Sequence, residues 1–374
     1  MPENSVDSIV TDPPAGISFM NKEWDDDKGG RDQWIAWLAE VMREALRVLK
    51  PGGHALVWSL PRTSHWTGQA LEDAGFEVRD VISHLFGTGF PKSLDISKAI
   101  DKALGRESER PVSHPNPSKR PNAYIGDNGW VTPQRPEFKT SAATPEAKQW
   151  QGFGTALKPA CEMWWLVRKP ISEKTVAANV LKWGTGGLNI DGCRITYKSD
   201  ADFESAKGGD TGSSNRAMDG WGLNTAIPQS QKITLKGRFP ANLILDETAA
   251  EMLGEPSRFF YVAKASAREK NAGLDTEPVN VNDGRATAID NPFQRGETLR
   301  KNTHPTVKSI ALMEYLVKLV TPPGGTVIDP FMGSGSTGVA AQNLGFNFIG
   351  MEHEAEYHGI AVSRIENATP RCYL

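Results

Sequence analysis

Two apolar spacings alternate along the chain. Residues 6–12, VDSIVTD, are apolar and partly β-branched and read as a strand. Residues 32–49, DQWIAWLAEVMREALRVL, place apolar side chains at helical spacing. PGGHALVWSL (51–60) predicts a second strand, HWTGQALEDAG (65–75) a short helix and FEVRDVISHLF (76–86) a third strand. Pro51 is expected to stop the first helix, with Gly52, Gly53 and Gly75 as turn points. The periodicity is lost over 106–150 and again over 198–234, both polar and either functional loops or plain links. Between them ACEMWWLVRKP (160–170) predicts a further buried strand. From residue 304 the pattern returns. HPTVKSIALMEYLVKLVTPPGG predicts an amphipathic helix ended by Pro322 and Pro323. TVIDPFMGSGSTGVAAQNLGF predicts strand, glycine turn and helix, and NFIGMEHEAEYHGIAVSRIENA a strand with an acidic end and a last helix. Strands alternating with helices predict an α/β fold with a doubly wound, mostly parallel sheet. The segments are then 1–105, 106–150, 151–197, 198–234 and 235–374.

The glycine turn carries the strongest chemical signal. Gly333, Gly335 and Gly338 have the Gly-x-Gly-x-x-Gly spacing, a strand before them and a helix after. That arrangement puts a ligand at a strand's carboxyl end, beside a helix N-terminus. Glu352 ends the next strand, where an acid accepts hydrogen bonds from ribose hydroxyls. No Gly-Lys-Ser/Thr follows, so this is not a nucleotide-triphosphate loop. The pattern points to an adenosine cofactor without saying which.

Asp12-Pro13-Pro14 ends the first strand. Proline fixes its own φ and drives the preceding residue out of the helical region, so Asp12 sits on a stiff extended stub. Parallel strands of such a sheet open into one crevice, which Asp12 and Asp329 both reach. A carboxylate and a proline carbonyl held there accept both N–H groups of an exocyclic amine and aim its lone pair at an electrophile. Orientation and charge placement do the chemistry.

Bulk properties narrow the partners. The chain has 374 residues, 39% hydrophobic, and a formal net charge of −3. That excludes a dedicated basic DNA-coating protein but not a local basic cleft. Cys161, Cys193 and Cys372 fit neither a zinc site nor a disulfide framework, so a reducing, cytoplasmic compartment is expected. No apolar run approaches ~18 residues, so no membrane is expected. The seven histidines form no ligand set, and no metal is expected.

The stretches TDPPAG, HPTVKSIALMEYLVKLVTPPGGTVIDPFMGSGSTG and FIGME, and more weakly FGTGFPKS and TALKPACEMWWLVRKP, resemble the permuted β-group DNA amino-methyltransferases, particularly those of bacteriophages and prophages. The resemblance implies a Rossmann-like methyltransferase fold with circularly permuted motif order. It also implies S-adenosylmethionine as cofactor, double-stranded DNA as partner, and a flipped-out base. Asp12, Pro13 and Pro14 match the tetrad that grips the amino group. Asp329, Phe331, Gly333 and Gly335 match the cofactor loop, and Glu352 the ribose acid. His304, Pro305, Thr306 and Lys308 match the segment on the cofactor's methionine end. Asp at the tetrad's first place favours adenine N6 over cytosine N4.

Three departures stand out. The tetrad's fourth residue is Ala15 in place of an aromatic, which makes Phe19 and Trp24 candidates for stacking on the base. Ser309 replaces a proline. The strand that relatives carry ahead of Val6, ending in Gly-Asp, is not found. A catalytically silent DNA- or cofactor-binding relative, and a methylase of protein or RNA, are the rival readings. Lys119, Arg120 and Arg135 in the first polar stretch, and Lys264 and Arg268 in RFFYVAKASAREKN, are candidates for DNA contact. The last stretch reads equally as a half-buried strand with a charged turn. A homodimer is compatible with the sequence.

Overall fold

The computed structural model describes residues 1–19, 22–89, 93–106, 141–207, 237–264, 269, 271–274, 277–282 and 297–368, with two-residue strands at Val112–Ser113, Tyr124–Ile125, Val131–Thr132 and Lys139–Thr140. The chain forms two compact units. One comprises residues 1–87, 161–284 and 297–374, the other 88–160 and 285–296. The boundaries expected at 105 and 150 thus fall inside the second unit. There the buried Asp101, on the helix Ile96–Ala103, accepts hydrogen bonds from the Ala143 and Thr144 N–H groups at 2.9 and 3.1 Å. Lys119, Arg120, Arg135 and Arg268 lie outside the described residues.

The first unit is built on one eight-stranded sheet. Its strands are β1 (Val6–Thr11), β2 (Leu49–Ser59), β3 (Glu77–Leu85), β4 (Cys161–Arg168), β5 (Leu243–Asp246), β6 (Tyr261–Ala263), β7 (Thr326–Asp329) and β8 (Asn347–Gly350), in the order β6-β5-β3-β4-β2-β1-β7-β8. Every pairing is parallel except those of β4, which runs antiparallel to both β2 and β3. One edge therefore collects the carboxyl ends of seven strands and the amino end of β4. Residues 243–263 join this sheet on the β3 side, at the opposite end from β7 and β8.

Helices cover both faces, which is why β1 is buried along its whole length. On one face α1 (Arg31–Val48) and α2 (Ser64–Ala74) bury Trp34, Leu38, Met42 and Leu71 against Ile9, Val57 and Ile328. On the other, α3 (Ile310–Val320) and α4 (Ser336–Asn343) bury Leu316, Val317 and Ala340 against Val10, Leu56 and Trp164. Neighbours Ile9 and Val10 thus face opposite cores, as strand alternation demands. A further helix, α5 (Ala355–Glu366), follows β8.

Two expectations about element limits change. The helix α3 is not amphipathic: nine of its eleven residues are buried, and HPTVK lies ahead of it. Its acid, Glu314, accepts a 2.7 Å bond from Asn343 on α4, which lets a charge sit on a buried helix. Nor does Pro51 end α1. The helix stops at Val48 and β2 begins at Leu49, so Pro51-Gly52-Gly53 lies within the strand. The register jumps there from Val6↔Leu49 to Ser8↔His54, a bulge with Gly52 at φ +79°. Asn179 and Thr185 each donate 2.7 Å bonds to the Pro51 carbonyl. The helix Val176–Trp183 and the glycine-rich turn after it therefore brace the amino end of β2, away from the crevice.

Helix α4 approaches the sheet through Gly338. A Cβ there would stand 2.4 Å from Ile365 Cδ1 and 2.7 Å from the Phe348 ring. Gly338→Val is expected to lower stability by about 1–3 kcal/mol through overpacking, read as a lower urea midpoint with an unchanged m-value.

Candidate active site

Strands β1 and β7 are direct neighbours, with Ser8 opposite Val327 and Ile9 opposite Ile328. Their ends therefore bring residues 12–14 beside Asp329. The Thr11 hydroxyl donates to Asp329 Oδ1 at 2.6 Å, the Thr337 hydroxyl to Oδ2 at 2.6 Å, and the Phe331 N–H to Oδ1 at 3.0 Å. Asp329 is buried, and burial pushes its carboxyl up to about 6 despite these donors. These three bonds tie the chain to itself: the carboxylate joins the end of β1, the glycine turn and α4.

The turn has Gly333 at φ +51° and Gly335 at φ +78°, which only glycine adopts freely. Gly333 N–H donates to Glu352 Oε2 at 2.8 Å, and Glu354 N–H to Oε1 at 2.9 Å. Two backbone donors leave a carboxylate with acceptor capacity to spare. Glu352 is half-buried at the end of β8, so it fits a ribose bearing two hydroxyls. Arg364 on α5 is buried beneath the turn, bonding the Ser334 carbonyl and, at 3.0 Å, its hydroxyl; burial brings its guanidinium down to about 10.

Aromatic rings wall this half. Trp24 stacks on His304 with centroids 6.4 Å apart, and His304 meets Tyr357 edge-on at 4.6 Å. The His304 ring lies so close to Gly333 that a Cβ there would be 2.8 Å from Nε2. Burial, and then Lys308 and Arg364, lower its imidazole to about 4, so it is neutral at pH 7. Thr306 is exposed, its N–H on His304 Nδ1 at 3.3 Å. Phe331 packs on Trp37 at 5.7 Å, on the α1 side of the sheet.

The loop after Pro14 is organised by Asp25, which is buried. Its carboxylate accepts from the N–H groups of Ala15, Gly16 and Phe19 at 2.6, 3.0 and 2.7 Å. Gly16 is obligatory there: it has φ +69°, and a Cβ would stand 2.7 Å from the Trp34 indole. Phe19 is half-buried. Trp24, proposed from the sequence for the same stacking role, lies by the glycine turn.

Asp12 itself faces Lys308, whose ammonium lies 3.2 Å from Oδ2. The same ammonium is 3.6 Å from Glu162 Oε2 and 4.0 Å from the centroid of Trp58. Burial pushes the Asp12 carboxyl up to about 6, against the pull of Lys308 and with a push from Glu162. For Glu162, burial acts upward, but Lys308 and the neighbouring His84 and Trp58 outweigh it and hold the carboxyl at about 2. Lys308 loses solvation yet is raised by the two carboxylates. Lys264 is exposed past the end of β6, its carbonyl accepting from Ser309 at 3.4 Å.

The sequence reading did not single out Asp25, Glu162 or Arg364. Glu162 and Arg364 were detectable as lone charges in apolar settings, CEMWWLV and GIAVSRI; Asp25 is hidden in the acidic run EWDDD. Among the described residues no cluster of His, Cys, Asp or Glu suits a metal, and no helix is long and apolar enough to cross a membrane.

The Type II methyltransferase M2.DpnII of Streptococcus pneumoniae is 48% identical over 63 residues, 17% of this chain and 24% of its own length. M2.LlaDCHI of Lactococcus lactis subsp. cremoris is 44% identical over 62 residues, 17% and 23% of the two chains. The match thus spans about a quarter of each curated relative. Among solved structures, the PvuII DNA methyltransferase (cytosine-N4-specific) aligns with 97% of this chain and 80% of its own, at 13% identity and a TM-score of 0.44. The family model described as DNA methylase matches residues 6–95 and 138–363, more than half of the chain, and the chain belongs to that family.

Proposed function

We propose that the protein transfers a methyl group from S-adenosylmethionine to an exocyclic amino group in double-stranded DNA, with adenine N6 favoured over cytosine N4. The observation that carries this is the tie between the two half-sites. The Thr11–Asp329 bond of 2.6 Å fixes the stub bearing Asp12 beside the glycine turn. When bound, the cofactor supplies an electrophilic methyl carbon. Glu352 holds its ribose, and the backbone of Gly333 and Gly335 admits it closely. Asp12 and the Pro13 carbonyl accept the two amino hydrogens, turning the nitrogen lone pair toward that carbon. A target amine inside a duplex cannot reach this edge, so the base is flipped out.

Motif order, with Asp12-Pro13-Pro14 ahead of the glycine turn, supports the permuted group, and TDPPAG supports kinship with phage and prophage enzymes. Phe19 is assigned to the base, whereas Trp24 belongs to the cofactor wall, because its neighbour is His304. Lys119, Arg120, Arg135, Lys264 and Arg268 are assigned to the DNA backbone.

Mass spectrometry of nucleosides from DNA incubated with protein and cofactor tests this reading. N6-methyladenine is expected, and its absence together with that of N4-methylcytosine would refute the proposal. Asp12→Ala is expected to abolish transfer with cofactor affinity changed less than a few-fold, as measured by calorimetry. Full activity in that variant would remove Asp12 from the chemistry.

The pH dependence has a definite sign. Asp12 offers two oxygens as a charged acceptor only when ionised, and burial pushes its carboxyl up to about 6. The rate constant kcat/KM should be level above that pH and fall towards one decade per pH unit below it. A profile still level at pH 5 would contradict the assignment.

A further inference from the structure

The antiparallel strand brings an unexpected charge to the crevice. All other strands of the sheet reach this edge with their last residues, whereas β4 arrives with its first. Glu162, second in β4, is therefore opposite His84 near the end of β3, one step from Ser59 paired with Met163. Lys308 reaches the same point from the extended segment ahead of α3. Its ammonium stands between Asp12 Oδ2 and Glu162 Oε2, over the Trp58 ring, with the side chain only 13% exposed. Beyond it, His84 Nδ1 is 3.9 Å from Glu162 Oε2. A buried ion cluster adds little to stability compared with apolar packing, so placing one against Asp12 calls for another explanation.

We infer that Lys308 is a positioning residue for Asp12, braced by Glu162 and Trp58: it binds one carboxylate oxygen and leaves the other presented as a charged acceptor for the incoming amine. This inference rests on the methyltransferase reading above. It moves Lys308 from the cofactor's methionine end to the target-base half. Among the described residues Asp12 Oδ1 has no hydrogen-bond partner, while Oδ2 is held by the ammonium. The two supports act with opposite sign. Lys308 favours the ionised form of Asp12, whereas Glu162 repels it while fixing the direction of the lysine. Asp25 on the following loop and Asp329 on β7 add negative charge facing Asp12; His304 faces Lys308 from the same segment.

The opposite signs test the clamp, and the acid limb of kcat/KM, which an ion cluster with a merely structural role would leave in place, tests its part in positioning. Carbon-13 NMR titration of the Asp12 carboxyl is carried out on the full chain without DNA or cofactor. Lys308→Met should raise the Asp12 midpoint by about one pH unit or more. Glu162→Gln should lower it, and Lys308→Arg should hold it near the wild-type value. The acid limb of kcat/KM on duplex DNA should move in the same directions, with cofactor affinity changed less than a few-fold. Shifts of the same sign in the first two variants, or none, overturn the inference. So does a tenfold loss of cofactor affinity in Lys308→Met with the Asp12 midpoint unmoved. Should Lys308→Met fail to fold, as judged by thermal melting, the Glu162→Gln titration decides by itself. Wild-type protein inactive on DNA at every pH would refute the proposed function, and the NMR midpoints would still decide whether the clamp exists.

Discussion

The site depends on one buried carboxylate. Asp329 gathers the Thr11 hydroxyl from β1, the Thr337 hydroxyl from α4 and the Phe331 N–H from the glycine turn. A buried carboxyl left without donors is costly, so the three donors and the acid constrain each other. With them fixed, the stub bearing Asp12 and the turn answered by Glu352 cannot drift apart. An inward-facing acid sets the spacing of the two half-sites.

The same economy governs the periphery. Asp25 uses both oxygens to hold the loop that follows the prolines, and Arg364 holds the glycine turn from below. Asp12 and Glu352, the acids proposed to meet ligands, are half-buried, while buried charges beneath them fix the backbone. That division explains why Ala15 is tolerated. Its N–H is a structural ligand of Asp25, so the loop keeps its course without a large side chain at that position.

Much of this was legible from pattern alone. The strand of VDSIVTD, the helix after it, the glycine turn and the acid ending FIGME follow from apolar spacing and turn chemistry, and they place Asp12, Gly333 and Glu352 at one sheet edge. What pattern could not give was partnership between distant residues. Thr11 reads as an ordinary strand residue until it meets Asp329, 318 positions away. Glu162 reads as a charge at the start of a buried strand, because its significance comes from the reversed direction of β4. The buried helix α3 was misjudged as amphipathic because its Glu314 and Lys318 resemble a polar face; the acid instead is satisfied inside by Asn343. The helix stop expected at Pro51 fails for a similar reason, since the residue lies in a strand bulge whose support comes from Asn179 and Thr185, far along the chain.

The adjacency of β1 and β7 also has a consequence for synthesis. One edge of β1 has no partner until β7 leaves the ribosome, roughly 15–60 s later at ordinary elongation rates. During that interval an apolar strand, buried along its whole length in the finished sheet, presents unpaired N–H and C=O groups. The nascent protein is therefore open to misassociation at the strand that will lie beside its glycine turn, and a chain truncated before residue 326 keeps that open edge permanently.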